Sequence, residues 1–254
     1  MKGLPRQIAV LTSCAVMIYV NFFVSSSGDF EGSGPEAGSA TVYDMFPTAF
    51  SPAPYTFTVW PPIFLGLVLF ALYQARPTKR HDETLNALGI PATAAFVMNT
   101  LQAYPRMGFN TLAVVALLVS LIFVFRVLTR AKTPRGKGFT WLVRVPFVLF
   151  FGWITVATIL SICQWLVSIG WSGFGISSSI WAGLLILTAM SIGVVVVRRF
   201  RAIGYGIVLM WGFVGIVMVD PGAVPVLVAT AVAVAALGWS IVRVLRSGSL
   251  RLAG

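Results

Sequence analysis

The sequence predicts an all-α fold, a polytopic membrane helix bundle of about eight transmembrane helices. Three observations carry that prediction. Hydrophobic residues make up 58% of the chain and charged residues 10%, whereas a soluble domain carries about 25% charged residues to face water. Apolar runs repeatedly reach the roughly 20 residues needed to cross about 30 Å of hydrocarbon at 1.5 Å per residue. The basic residues, finally, crowd into alternate connecting segments, as the positive-inside bias requires.

The spans follow in order as 7–25, 56–75, 87–104, 111–129, 145–168, 178–197, 203–219 and 225–242. They are too long and too uniformly apolar for barrel strands, so helices are the reading. The first span follows Lys2 and Arg6 and precedes "SSSG", which resembles a secretory signal. Its apolar stretch exceeds the usual 7–15 residues of such a signal, so it is expected to be a retained helix. The third span is interrupted by Pro91, Asn99 and Gln102, and "YPRMGFN" turns it tightly into the fourth. The eighth carries Ala229, Ala231, Ala233 and Ala235, and the seventh Trp211, Gly212 and Gly215. Such small-residue surfaces suit close packing within the chain as well as docking onto another membrane protein.

Charge tests the span count. With both termini inside, the inner segments hold Lys2 and Arg6; Arg76, Lys79 and Arg80; Arg126, Arg130, Lys132, Arg135, Lys137 and Arg144; Arg198, Arg199 and Arg201; and Arg243, Arg246 and Arg251. That is 17 of the 18 basic residues, with Arg106 outside. Asp29, Glu31, Glu36, Asp44 and Asp220 fall outside, Asp82 and Glu83 inside. The net charge of +11 is thus topological, and no nucleic-acid partner is expected. The expected place is a bacterial inner membrane, with both termini cytoplasmic and the run 126–144 attracting anionic lipid.

Chemical motifs are scarce. The lone His81 lies beside acids in "RPTKRHDE", and no zinc-protease, dithiol, phosphate-loop or dinucleotide pattern occurs. No Asp, Glu, Lys or His sits in the middle of a span, which argues against a proton relay. Cys14 and Cys163 would lie about 10 and 27 Å above the inner boundary, too far apart for a disulfide. No metal site, no required cofactor and no enzymatic activity are expected.

What remains is aromatic and amide chemistry in or at the edges of the first five spans: Tyr19, Asn21, Tyr55, Phe57, Trp60, Phe64, Asn99, Gln102, Tyr104, Trp153, Gln164 and Trp165. Asn99 and Gln102 are three apart and share a helix face. Amides in hydrocarbon either tie helices together or line a pocket. Trp141, Trp171 and Trp181 suit an interfacial belt, whereas Trp153 lies too deep for one.

Within this set, "TVYDMFPTAFSPAPYTFTVWPPIFLGLVLFALYQ" resembles the start of the second helix in TspO/MBR proteins, the tryptophan-rich sensory or translocator family. It is most similar to the longer bacterial relatives, which read Phe-Thr-Pro-Ala-Gly-Tyr-Thr-Phe-Ser-Ile-Trp-Gly-Leu-Ile-Tyr there. This chain runs from Phe50 through Pro52, Pro54, Tyr55, Phe57 and Trp60 to Phe64. "FFGWITVATILSICQW" resembles the fifth helix, with Trp153, Ala157, Leu160 and Trp165 on the family spacing. Asn99 and Asn21 match asparagines of the third and first helices. The chain departs from the pattern at Pro61-Pro62-Ile63-Phe64, at Gln102 in place of Trp, and at Ser161 in place of Asn.

The resemblance implies a five-helix core at 1–171 with a long outer loop at 26–55, and a three-helix extension with a short basic tail at 172–254. It implies a pocket under that loop for a flat lipophilic ligand, a tetrapyrrole (porphyrin or haem) or a sterol. The implied ligand-binding set is Asn21, Tyr55, Phe57, Trp60, Phe64, Asn99, Gln102, Trp153, Ser161 and Trp165. Four prolines, Pro52, Pro54, Pro61 and Pro62, would stiffen the doorway, and the Gly/Ser-rich start of the loop is expected to be mobile until a ligand or partner orders it. With no His in the spans, a bound haem would take Met, Tyr or Cys as axial ligand, or none. The expected roles are receptor, carrier or regulator. The alternative is a structural or assembly subunit of a larger, pigment-containing membrane complex, and a homo-oligomer is also open. A passive transporter or an enzyme ranks last, because Tyr55, Ser161 and Cys163 have no base to activate them.

Overall fold

The computed structural model describes residues 2–24, 46–104, 106–131 and 136–249. Most of the loop at 26–55 therefore lies outside the described residues. Eight long helices are present among the described residues: α1 (Leu4–Tyr19), α2 (Trp60–Ala75), α3 (Glu83–Leu101), α4 (Met107–Arg130), α5 (Val145–Ser168), α6 (Ser178–Phe200), α7 (Ile203–Val217) and α8 (Val224–Ser249). The all-α bundle is as expected.

Six of these are long and apolar enough to cross a membrane. The other two differ for separate reasons. α3 has 19 residues but carries Asn86, Thr93, Asn99 and Thr100. α7 is apolar but only 15 residues long, about 22 Å. The start of α3 also lies four residues before the expected span. Asp82 caps it, its carboxylate accepting from the Leu85 amide at 3.0 Å. Pro91 sits inside α3 without ending it.

α5 is the hub. It buries 72% of its apolar stretch, against 33–44% for the other five long spans, and packs on α2, α4 and α7. Around it α1 packs on α2 and α3, and α3 on α4, closing the five-helix part. Phe70, Phe96 and Phe147, from α2, α3 and α5, meet at 4.7–6.5 Å between ring centroids. Gly66 lets α2 approach Pro146, whose Cγ lies 2.9 Å from where a Cβ would stand.

The last three helices share this core, and Val197, Ile241 and Val244 form a small separate cluster between α6 and α8. Gly152 on α5 lies against the Tyr205 backbone of α7, and Gly212 lies on Val156. The buried Thr155 and Tyr205 hydroxyls meet at 3.0 Å across the same contact. The notched face of α7 is thus used inside the chain. On α8, Ala229 and Ala233 are buried while Ala231 and Ala235 are exposed. A helix turns about 100° per residue, so alternate alanines cannot form one surface.

At the basic end, Arg6 on α1 is 1% exposed. Its guanidinium donates to Asn86 Oδ1 (3.0 Å), Lys79 O (2.9 Å) and Gln74 O (3.3 Å). Gln7 Nε2 adds bonds to Gln74 O and Arg76 O. These two side chains satisfy carbonyls that the end of α2 leaves open. Cys14 and Cys163 are both free thiols, and Cys14 points at Leu67 O.

Candidate functional site

The chain enters α2 through a 3-10 turn at Pro54–Val59. Pro61 and Pro62 then occupy the first turn of α2, where a missing N–H costs nothing because no carbonyl precedes it in the helix. This approach aims Phe57 and Trp60 at α5. Trp60 stacks on Phe64 at 4.7 Å and meets Trp153 edge-on at 6.1 Å. Phe57 meets Trp153 edge-on at 5.7 Å, and Phe150 closes the group at 6.0 Å from Trp60. Trp153 is 2% exposed, so it belongs to this cluster and not to an interfacial belt.

A polar band adjoins the aromatic group. α1 ends in a π-turn at Val20–Val24, a wide turn that often re-aims side chains at functional positions. Within it Asn21 Nδ2 donates to Met17 O at 2.8 Å and to Asn99 Oδ1 at 3.1 Å. The next residue, Phe22, meets Phe64 edge-on at 5.5 Å. Adjacent residues of one turn thus join the amide pair to the aromatic cluster.

Asn99 is 0% exposed and Ser161 is 1% exposed. Asn99 Nδ2 and Ser161 Oγ have no hydrogen-bond partner among the described residues. Buried polar atoms are normally paired, and one that is not points to a bound water, ion or ligand. Such atoms occur elsewhere too, among them Arg6 Nε, Gln74 Oε1 and Arg80 Nε at the basic end. What sets Asn99 and Ser161 apart is that they lie, on α3 and α5, at the end of the bundle that holds the aromatic cluster.

The remaining residues of the expected set are placed differently. Gln102 is half-buried at the C-cap of α3, where its backbone oxygen accepts from Asn110 Nδ2. Trp165 is exposed, its indole beside Gly108. Tyr55 turns away from the cluster and lies edge-on to Trp211 at 5.5 Å.

Several residues of this region escape a sequence reading. Trp211 Nε1 donates to Thr56 O at 2.9 Å, and the Ala53 amide donates to Gly215 O at 2.9 Å. Thr56 is fully buried against Gly215, leaving no room for a Cβ there. α7 therefore clamps the turn that positions Phe57 and Trp60. On α4, Asn110 and Thr111 add to the polar band, Thr111 Oγ1 donating to Ser161 O at 3.2 Å. The available signal was Asn-Thr at the start of an otherwise apolar helix.

Two grooves lie elsewhere. One, of about 340 Å³, runs between α1 and α2 and is lined by residues such as Leu11, Cys14, Ile18 and Leu72. The other, of about 490 Å³, lies between the basic ends of α6 and α8. Among the described residues no group of three or more His, Cys, Asp or Glu is placed to hold a metal ion.

Residues 7–244 match the family model described as "TSPO-like protein". No curated protein and no solved structure matches the chain.

Proposed function

This chain belongs to the TSPO-like family and is an integral membrane protein, and from that premise we propose that it binds a flat lipophilic ligand among its first five helices. The ligand class is a tetrapyrrole such as a porphyrin or haem, or a sterol-like molecule. The protein acts on it as receptor, carrier or regulator, without covalent chemistry. One observation carries this reading: the unpartnered Asn99 Nδ2 and Ser161 Oγ, buried at the same end of the bundle as the Phe57–Trp60–Trp153 cluster. Rings offer faces and edges to a flat ring system, while an amide and a hydroxyl fix its orientation. Among the described residues no base is bonded to Ser161 Oγ, which supports binding over catalysis. The proposed location is a bacterial inner membrane with both termini cytoplasmic, supported by the distribution of basic residues.

The test is a titration of purified protein with protoporphyrin IX and haem, following tryptophan fluorescence. Saturable quenching at micromolar ligand is expected, and it is expected to be lost in a Trp60→Ala, Trp153→Ala variant. Quenching that does not saturate, or that survives in the variant, refutes the reading.

A second reading has its own support. Trp60, Phe64 and Trp153 pack against one another, so their surfaces serve the protein's own core. That suits a structural or assembly subunit of a larger membrane complex. Copurification of a partner at fixed ratio in mild detergent, without porphyrin binding, decides for it.

A further inference from the structure

We propose that the groove between α6 and α8 is a binding site for the phosphate headgroup of an anionic membrane lipid. Arg198 from α6 lines it together with Arg243, Arg246, Trp239, Val242 and Ser247 from α8. This site is separate from the aromatic cluster and independent of the ligand reading above.

The groove is built, not merely charged. Ser240 is fully buried; its hydroxyl donates to Ala236 O at 2.7 Å and accepts from Arg198 Nε at 3.0 Å. That bond fixes the guanidinium plane and leaves its two terminal nitrogens without a bond to the described residues. Arg201 adopts a left-handed backbone (φ 54°) at the end of α6, a conformation unfavourable for a side chain of this size. Its guanidinium donates to Val244 O at 2.9 Å and Ser247 Oγ at 3.4 Å, holding α6 and α8 together beneath the groove. Arg243 rests on the ring of Trp239, 5.3 Å from its centroid.

Charge and depth both select the ligand class. Asp220 is the one acidic side chain between residues 84 and 254. It precedes α8, whose first residue is about 28 Å from Arg243 along the helix. The positive field in the groove is therefore not offset by side chains of this half of the chain. Guanidinium groups pair well with phosphate oxygens. Trp239 lies one turn, about 6 Å, deeper in α8 than Arg243, and Val242 is exposed beside it. Phosphate-binding groups above an aromatic and apolar wall match an amphiphile better than a free anion.

The experiment is native mass spectrometry of the full chain in detergent, titrated with phosphatidylglycerol, with phosphatidylcholine, and with phosphatidylglycerol in the presence of inorganic phosphate. Phosphatidylglycerol is expected to be retained in preference to phosphatidylcholine. Arg198→Gln with Arg243→Gln is expected to weaken its retention about thirty-fold, from the loss of two basic side chains beside an anionic headgroup. The charge-matched Arg76→Gln, Lys79→Gln variant, between α2 and α3 and outside the groove, is expected to stay within about two-fold. If the double variant does not fold, Arg243→Gln alone is expected to cost about five-fold, since its guanidinium rests only on an exposed ring. No preference for phosphatidylglycerol, or equal losses in both double variants, overturns the site. Displacement of the lipid by equimolar inorganic phosphate overturns its assignment to lipid.

Discussion

Trp211 of α7 donates its indole N–H to the carbonyl of Thr56, 155 positions earlier in the chain, at 2.9 Å. The bond links the C-terminal three helices to the turn that aims Phe57 and Trp60 into the bundle. Together with the Ala53–Gly215 backbone bond, it makes α7 a support of the candidate site.

Trp211→Phe keeps an aromatic ring against Tyr55 and removes the donor. Loss of one intramolecular hydrogen bond is expected to cost about 1 kcal/mol, read as a lower midpoint of thermal unfolding in detergent. Protoporphyrin affinity is expected to fall in parallel, because the turn carrying Phe57 and Trp60 loses an anchor. An unchanged midpoint with unchanged affinity would show that α7 does not support the turn.

Gly215→Ala is expected to destabilise by about 1–3 kcal/mol, since an added methyl group overpacks the contact with the Thr56 side chain. Thr56→Ala removes both Oγ1 and Cγ2, the nearest atoms. The double variant is therefore expected to recover most of the loss, and a double-mutant cycle on unfolding midpoints measures the coupling. Additive losses would mean that the two residues do not meet.

Arg6→Met is expected to cost about 3 kcal/mol, because two bonds from a charged donor, to Lys79 O and to Asn86 Oδ1, vanish. Gly89→Ala is expected to act in the same direction, since its Cβ would stand 2.7 Å from Arg6 Cγ. Arg6→Lys restores the charge but not the fork, so only partial recovery is expected. Full recovery by Lys would show that charge alone matters here.

The bundle was legible in the sequence because hydrocarbon imposes length and composition on any segment that crosses it. That Asn21 and Asn99 belong to one polar set was legible for a similar reason, as amides at membrane depth must find partners; that they bond to each other was not. Helix ends were less so: Asp82 caps α3 through one local bond that outweighs the polarity of the residues after it. The alternating alanines of α8 misled because spacing by two puts Ala229 and Ala231 on different faces. Trp211 could not be assigned to the site, since nothing local marks Thr56 as its partner. Contacts this distant along the chain depend on the packing of α7 against α5, through glycines that a sequence shows only as small.

Ser161→Ala and Asn99→Leu separate a ligand site from a packing defect. Among the described residues Ser161 Oγ and Asn99 Nδ2 are buried without partners, and such groups carry a desolvation cost of about 1–3 kcal/mol. Replacing them with apolar groups is therefore expected to leave the unfolding midpoint unchanged or to raise it. Asn21 keeps its bond to Met17 O when Asn99 is replaced. If a ligand pairs with these atoms, the same substitutions must weaken binding, by about ten-fold or more for each lost bond. The two readouts then move in opposite directions, which a purely structural pair of residues cannot produce. A stabilised protein that binds protoporphyrin as tightly as before would remove Asn99 and Ser161 from the ligand site, and with them the observation on which that site rests.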